Sequence, residues 1–133
     1  MKYMLDTDIC VTLIRQKSQR LLDKIDSFKL GDLGLSVIVV AELQYGLYKG
    51  QHQEEALQAL TKFLSSFQIV DFNDEAAITY GHIRADLEKI GQRIGPYDLL
   101  IAAHAKTLGV ILVTGNVREF NRVDGLIVEN WLS

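Results

Sequence analysis

Apolar residues in this chain come in short runs, each closed by polar, turn-forming residues. Tyr3-Met4-Leu5 is one such run, ended by Asp6-Thr7-Asp8. Val110 to Val113 is a second, richer in β-branched residues and ended by Thr114-Gly115-Asn116. Both patterns predict short strands followed at once by turns. Between them helical spacing dominates. Ser36 is placed to cap a helix running to about Lys49, Gln53 to Phe67 repeats with a helical period, and Asn73 with Asp74 and Glu75 opens a helix toward Ile90. Gly95-Pro96 starts another, through Lys106. Ile69-Val70 and Leu126-Ile127-Val128 are short apolar runs beside turn signals and read as further strands. Strands alternating with helices predict an α/β fold with a mainly parallel central sheet covered by helices on both faces.

The chain has 133 residues, with no internal repeat, low-complexity stretch or linker, so one domain over residues 1–133 is expected. Cys10 is alone, which excludes an intramolecular disulfide and a zinc site built on several thiolates; it reads as a small buried apolar residue. Asp6 interrupts any signal-peptide apolar region, and no apolar run approaches membrane-spanning length, so a cytoplasmic protein without membrane contact is expected. Lys and Arg number 14 against 17 Asp and Glu, a formal charge of −3, which excludes nucleic-acid binding by bulk positive field. Any such contact must be local, and the segment His82, Arg84, Lys89, Arg93 is its best source, although a solvated helix face explains those charges equally well.

In an open parallel sheet the functional crevice lies outside the carboxyl ends of the strands. Asp6-Thr7-Asp8 and Thr114-Gly115-Asn116 fall there, and if their strands are neighbours they place oxygen ligands along one rim, suited to a hard cation such as Mg²⁺ or Mn²⁺. Glu42 sits in Val37-Ile38-Val39-Val40-Ala41-Glu42-Leu43, apolar on every side, and Asp98 precedes Leu99-Leu100-Ile101-Ala102-Ala103, another such segment. Two carboxylates in buried helices need a partner or a shared cation. Each residue also has a plainer explanation. Asp98 suits a helix N-terminus, Asp6 and Asp8 suit turns or caps, and Asn116 with Glu119 fits a capping box. The histidines, at positions 52, 82 and 104, have no zinc or base–nucleophile spacing and read as structural or surface residues. No phosphate-binding glycine loop is present.

Taken in order, Met4-Leu5-Asp6-Thr7, Ala41-Glu42-Leu43 with Gly46, Gly95-Pro96-Tyr97-Asp98 with Ile101 to Ala105, Val113-Thr114-Gly115-Asn116 with Arg118-Glu119-Phe120, and the closing Glu129-Asn130-Trp131 span nearly the whole chain. This set of blocks resembles the VapC-type toxins of the PIN-domain family. The resemblance implies a Mg²⁺- or Mn²⁺-dependent endoribonuclease, inhibited by a VapB-type antitoxin and assembled as a toxin homodimer within a larger complex. It assigns Asp6, Glu42 and Asp98 to the acidic metal site, with Asn116 where many relatives carry a fourth acid. Thr7, Asp8 and Thr114 are the expected supporting residues, Asp8 standing where relatives most often have Asn or Ser. Asp8 has three open roles: compensation at the metal site, like-charge repulsion on a neighbour, or capping of the following helix.

The subgroup it resembles implies structured RNA as substrate, initiator tRNA in the anticodon region being the specific expectation, with Arg84, Arg93 and Tyr97 as candidate contacts. Metal-activated water predicts products with 5′-phosphate and 3′-hydroxyl ends. Two other readings compete. A receiver-type signalling module also gathers acids at strand ends, but it needs a Lys after a late strand, where Glu129 follows Ile127-Val128. An inactive binding module of the same fold has the neutral Asn116 in its favour.

Overall fold

The computed structural model describes residues 1–132. Five parallel strands, β1 (Tyr3–Leu5), β2 (Leu33–Ser36), β3 (Gln68–Val70), β4 (Ile111–Val113) and β5 (Val128–Glu129), form one sheet in the order β3-β2-β1-β4-β5. The chain builds outward from β1 through β2 to β3, then returns to lay β4 on the other side of β1. That reversal leaves a crevice at the carboxyl ends of β1 and β4, where sheets of this kind place their chemistry.

Among the described residues seven α-helices connect the strands: α1 (Thr7–Ile14), α2 (Gln19–Asp26), α3 (Val37–Tyr48), α4 (Gln53–Leu64), α5 (Asp74–Lys89), α6 (Pro96–Leu108) and α7 (Val117–Phe120). The core joins Met4, Leu5, Leu33, Leu35, Leu112 and Val113 of the sheet to Val39 and Leu43 of α3 and Ile101 to Ala103 of α6. The alanines let α6 lie close, and Pro96 begins it where an amide hydrogen has no helical partner to lose. Ser36 caps α3 by accepting the Ile38 N–H at 3.0 Å, and Asn73 caps α5 by accepting the Ala76 N–H at 3.0 Å. His104 is buried, its Nδ1 sharing a hydrogen bond of 2.8 Å with Ser36 Oγ, and burial lowers its pKa. Cys10 is fully buried. Among the described residues no helix is long and apolar enough to cross a membrane.

Three expectations need correcting. The helix expected over Gln53 to Phe67 ends at Leu64, because Ser65 takes the C-cap position and the chain turns into β3. The last strand is Val128–Glu129 rather than Leu126 to Val128, since the pairing partners on β4 are Leu112 and Val113. Strand β2 was not expected at all; Leu33-Gly34-Leu35-Ser36 carries little β propensity, and a Cβ at Gly34 would meet Met1 Sδ at 2.0 Å.

Candidate active site

Leu5 and Val113 are register partners, so the residues that follow them leave the sheet side by side. Asp6 N–H donates to the Val113 carbonyl at 2.9 Å. Thr114 is fully buried, and its hydroxyl donates to Asp6 Oδ2 at 2.7 Å while accepting the Asn116 N–H at 3.0 Å. Because Thr114 Oγ1 is already an acceptor for Asn116, its own proton is free to point at the carboxylate. The other Asp6 oxygen accepts the Thr7 N–H at 2.8 Å, which makes Asp6 the cap of α1, and the residue is only 5% exposed.

Glu42 enters the crevice from α3. Thr7 Oγ1 donates to its Oε1 at 2.7 Å, so the residue after Asp6 also aims the acid of another helix. Asp98 lies in the first turn of α6, half-buried. Beside it stands Glu119 from α7, whose Oε1 accepts the Gly95 N–H at 2.8 Å and whose Oε2 accepts from Asn116 Nδ2. Asp8 is exposed but engaged. Its Oδ1 accepts the Ile9 N–H and its Oδ2 the Gly115 N–H, each at 2.8 Å.

The electrostatics follow from this crowding. Burial pushes Asp6 up to about 6, with repulsion from Asp8 and Glu42 adding to it and the bonds from Thr114 and Thr7 opposing it. Burial also pushes Asp98 up to about 7, reinforced by the neighbouring acids Asp6, Glu119 and Glu42. Among the described residues the one ion pair is Arg84–Glu88 on the exposed face of α5, so no basic side chain pairs with these acids. The donors are all oxygens, and the repulsion among them is what a hard divalent cation relieves. The cluster fits such an ion by chemistry, yet among the described residues no three acidic, histidine or cysteine side chains already converge as a metal cage. Asp6, Asp8, Glu42 and Glu119 are instead each held by their own donors.

Two cavities lie along the helices that carry the acids. One of about 580 Å³ opens beside the first turn of α6, with Tyr80, Arg84, Leu87, Arg93, Pro96 and Leu99 in its walls. Arg84 is already engaged there, its Nε 3.1 Å from Glu88 Oε1 and its Nη1 donating to Tyr80 Oη at 3.0 Å. Arg93 is exposed, and Tyr97, 59% exposed, stands one residue before Asp98. The other cavity, about 320 Å³, is a largely apolar groove between α1, α3 and α4 that includes Thr7, Val11, Glu42, Leu43, Leu47 and Leu60.

Asp6, Thr114, Glu42 and Asp98 thus meet at one rim, and Thr7 and Asp8 hold parts of it in place. Two details differ from expectation. Glu42 and Asp98 are half-buried rather than enclosed, since α3 turns Ala41, Tyr45 and Tyr48 to solvent and α6 turns out Tyr97. Asn116 occupies the cap position of α7 but forms no capping box; its side chain goes to Glu119 instead. Glu119 is the acid that sequence reading left out of the site, having been assigned only to that box. Its signal was its place one turn after the rim of β4.

The PIN domain profile matches residues 3–126. The chain is 41% identical over 132 residues to "Ribonuclease VapC2" of Haemophilus influenzae, covering 99% of both chains. It is 39% identical over 131 residues to "tRNA(fMet)-specific endonuclease VapC" of Shigella flexneri, covering 98% of both. Among solved structures, VapBC2 from Rickettsia felis bound to a DNA fragment from its promoter superposes with a TM-score of 0.92 at 41% identity, covering 98% of this chain and 99% of that one.

Proposed function

The chain belongs to the PIN-domain family, and from that membership and its VapC relatives we propose that it is a metal-dependent endoribonuclease, the toxin of a toxin–antitoxin pair. The observation that carries this reading is the gathering of Asp6, Glu42, Asp98 and Glu119 at the carboxyl rim of β1 and β4, where burial and neighbouring acids raise the pKa of Asp6 and of Asp98 and, among the described residues, no basic side chain pairs with them.

Asp6, Glu42 and Asp98 would hold a Mg²⁺ or Mn²⁺ ion, with Asn116 Oδ1 and Glu119 as further oxygen donors. When bound, such an ion would supply Lewis acidity, activating water for attack and offsetting charge on the phosphodiester. Thr114 fixes Asp6 by a directed hydroxyl proton, and Thr7 fixes Glu42. Asp98, which burial and its acidic neighbours push up to about 7, would carry a proton part of the time at neutral pH, so a proton and the ion would compete for it. Histidine takes no part: His104 is buried against Ser36, and His52 and His82 lie exposed on other segments.

The substrate is a structured RNA, and tRNA is the first candidate, on the strength of the name carried by the Shigella relative. Arg93 and Arg84 beside the larger cavity meet the phosphate backbone, and Tyr97 offers a stacking face next to Asp98. A VapB-type antitoxin covers the apolar groove that starts at Thr7 and Glu42, where a basic side chain reaches the acids. The toxin acts as a homodimer, within the cytoplasm, as one PIN domain. End-group analysis of cleaved RNA tests the mechanism: 5′-phosphate and 3′-hydroxyl ends are expected, and 2′,3′-cyclic phosphates would refute it.

A further inference from the structure

We propose that Asp8 is a positioning residue: its carboxylate ties the start of α1 to the turn after β4 and so holds Thr114 against Asp6. The two loops that form the acidic rim, residues 6–8 and 114–116, are joined by backbone bonds only up to the ends of their strands. Beyond that point the Asp8 carboxylate bridges them, accepting Ile9 N–H with one oxygen and Gly115 N–H with the other, each at 2.8 Å. Gly115 is flanked by Thr114, whose hydroxyl serves Asp6, and by Asn116, whose N–H orients that hydroxyl. A turn pinned at its middle residue keeps both neighbours in register.

The approach is close. A Cβ on Gly115 would stand 2.7 Å from Asp8 Oδ2 and 3.0 Å from Leu132 Cδ1, so the turn accepts the carboxylate only because residue 115 is glycine. The backbone there is not in the left-handed region, and space alone is what the glycine provides. A carboxylate also does what the shorter or amide side chains at this place cannot do: it offers two acceptor oxygens to two N–H groups at once. To the three roles left open for Asp8 the geometry adds a fourth, cross-loop bracing, with the bond to Ile9 N–H anchoring the carboxylate to the first turn of α1.

The catalytic consequence rests on the nuclease reading, but the brace itself does not. The test combines amide hydrogen exchange at Gly115 in metal-free protein with RNA cleavage kinetics, in the wild type and in Asp8→Ala, Asp8→Asn, Gly115→Ala and the Asp8→Ala/Gly115→Ala double variant. Asp8→Ala should speed Gly115 exchange at least about 10-fold while the amides of β2 keep their protection, and Asp8→Asn, with one acceptor left, should fall between. In cleavage, Asp8→Ala and Gly115→Ala should each lower kcat about 10- to 100-fold with KM for RNA unchanged, and the double variant should be no worse than either alone. Unchanged Gly115 exchange in Asp8→Ala overturns the brace. Additive losses in the double variant, or a change in KM instead of kcat, assign Asp8 to direct contact with metal or RNA and overturn the positioning role. A wild-type protein that cuts no RNA refutes the nuclease reading, while the exchange data still decide the brace.

Discussion

The hydroxyl of Thr7 donates to Glu42 Oε1 across 2.7 Å, so the residue that follows Asp6 in the chain is what aims the acid presented by α3. The bond links two packed helices and, among the described residues, is the one side-chain hydrogen bond that aims Glu42, which remains half-buried. Replacing Thr7 by valine keeps the shape and removes the donor. Thr7→Val is expected to lower kcat and weaken metal activation about 10- to 100-fold, the range for groups that orient a ligand, and Thr7→Ser should restore both. Steady-state cleavage across a Mn²⁺ titration checks it.

The raised acids make a stability prediction. An acid whose folded pKa lies above its ordinary value destabilises the fold only when ionised, so the loss begins above the unfolded pKa and is complete above the folded one. For Asp98 that window runs from 3.8 to about 7, and for Asp6 from 3.8 to about 6. In metal-free protein, Asp98→Asn should therefore raise Tm at pH 8, by about 4 °C, and the gap should close as the pH falls toward 4. His104 works in the opposite sense, since its pKa is lowered by burial and acid below 6.5 destabilises the fold; it does so in both proteins and cancels in the difference. Adding Mg²⁺ at pH 8 should raise the wild-type Tm and have little effect on the variant. Calorimetry over pH 4 to 8 with and without metal measures all of this.

Arg93 and Arg84 differ in what they can still bind. Arg84 is committed to Glu88 and Tyr80, whereas Arg93 has no such side-chain partner among the described residues. Arg93→Ala should raise KM for RNA with kcat unchanged, and should flatten the dependence of log affinity on log salt by about one unit. Arg84→Ala should do less. Binding isotherms between low and physiological salt separate the two.

Much of this architecture can be read from residue order. The strands at Tyr3–Leu5 and Ile111–Val113 and the caps Ser36 and Asn73 are local signals, strong because each apolar run stops at residues that turn or cap. Strand β2 is not legible, because Gly34 and Ser36 look like a loop until Leu33 and Leu35 are buried between neighbouring strands. The same limit applies to the site. Asp6, Glu42 and Asp98 stand out as acids in apolar surroundings, but Glu119 and Asp8 owe their roles to partners far along the chain, Gly95 for one and Gly115 for the other. Hydrogen bonds of that span leave no periodicity to read. Apolar surroundings in sequence also overstated burial, since α3 and α6 both expose tyrosines.

The central claim is that the acids around Asp6 form the metal centre of a ribonuclease, and cleavage of a labelled tRNA pool tests it most directly. Wild type and folded Asp6→Ala are compared with Mg²⁺ or Mn²⁺, with EDTA, and after excess metal is returned. The account predicts discrete cuts by the wild type that EDTA abolishes and metal restores, with none from Asp6→Ala. Cuts that survive EDTA or persist in Asp6→Ala, or a folded wild type that leaves every RNA in the pool intact, would contradict it.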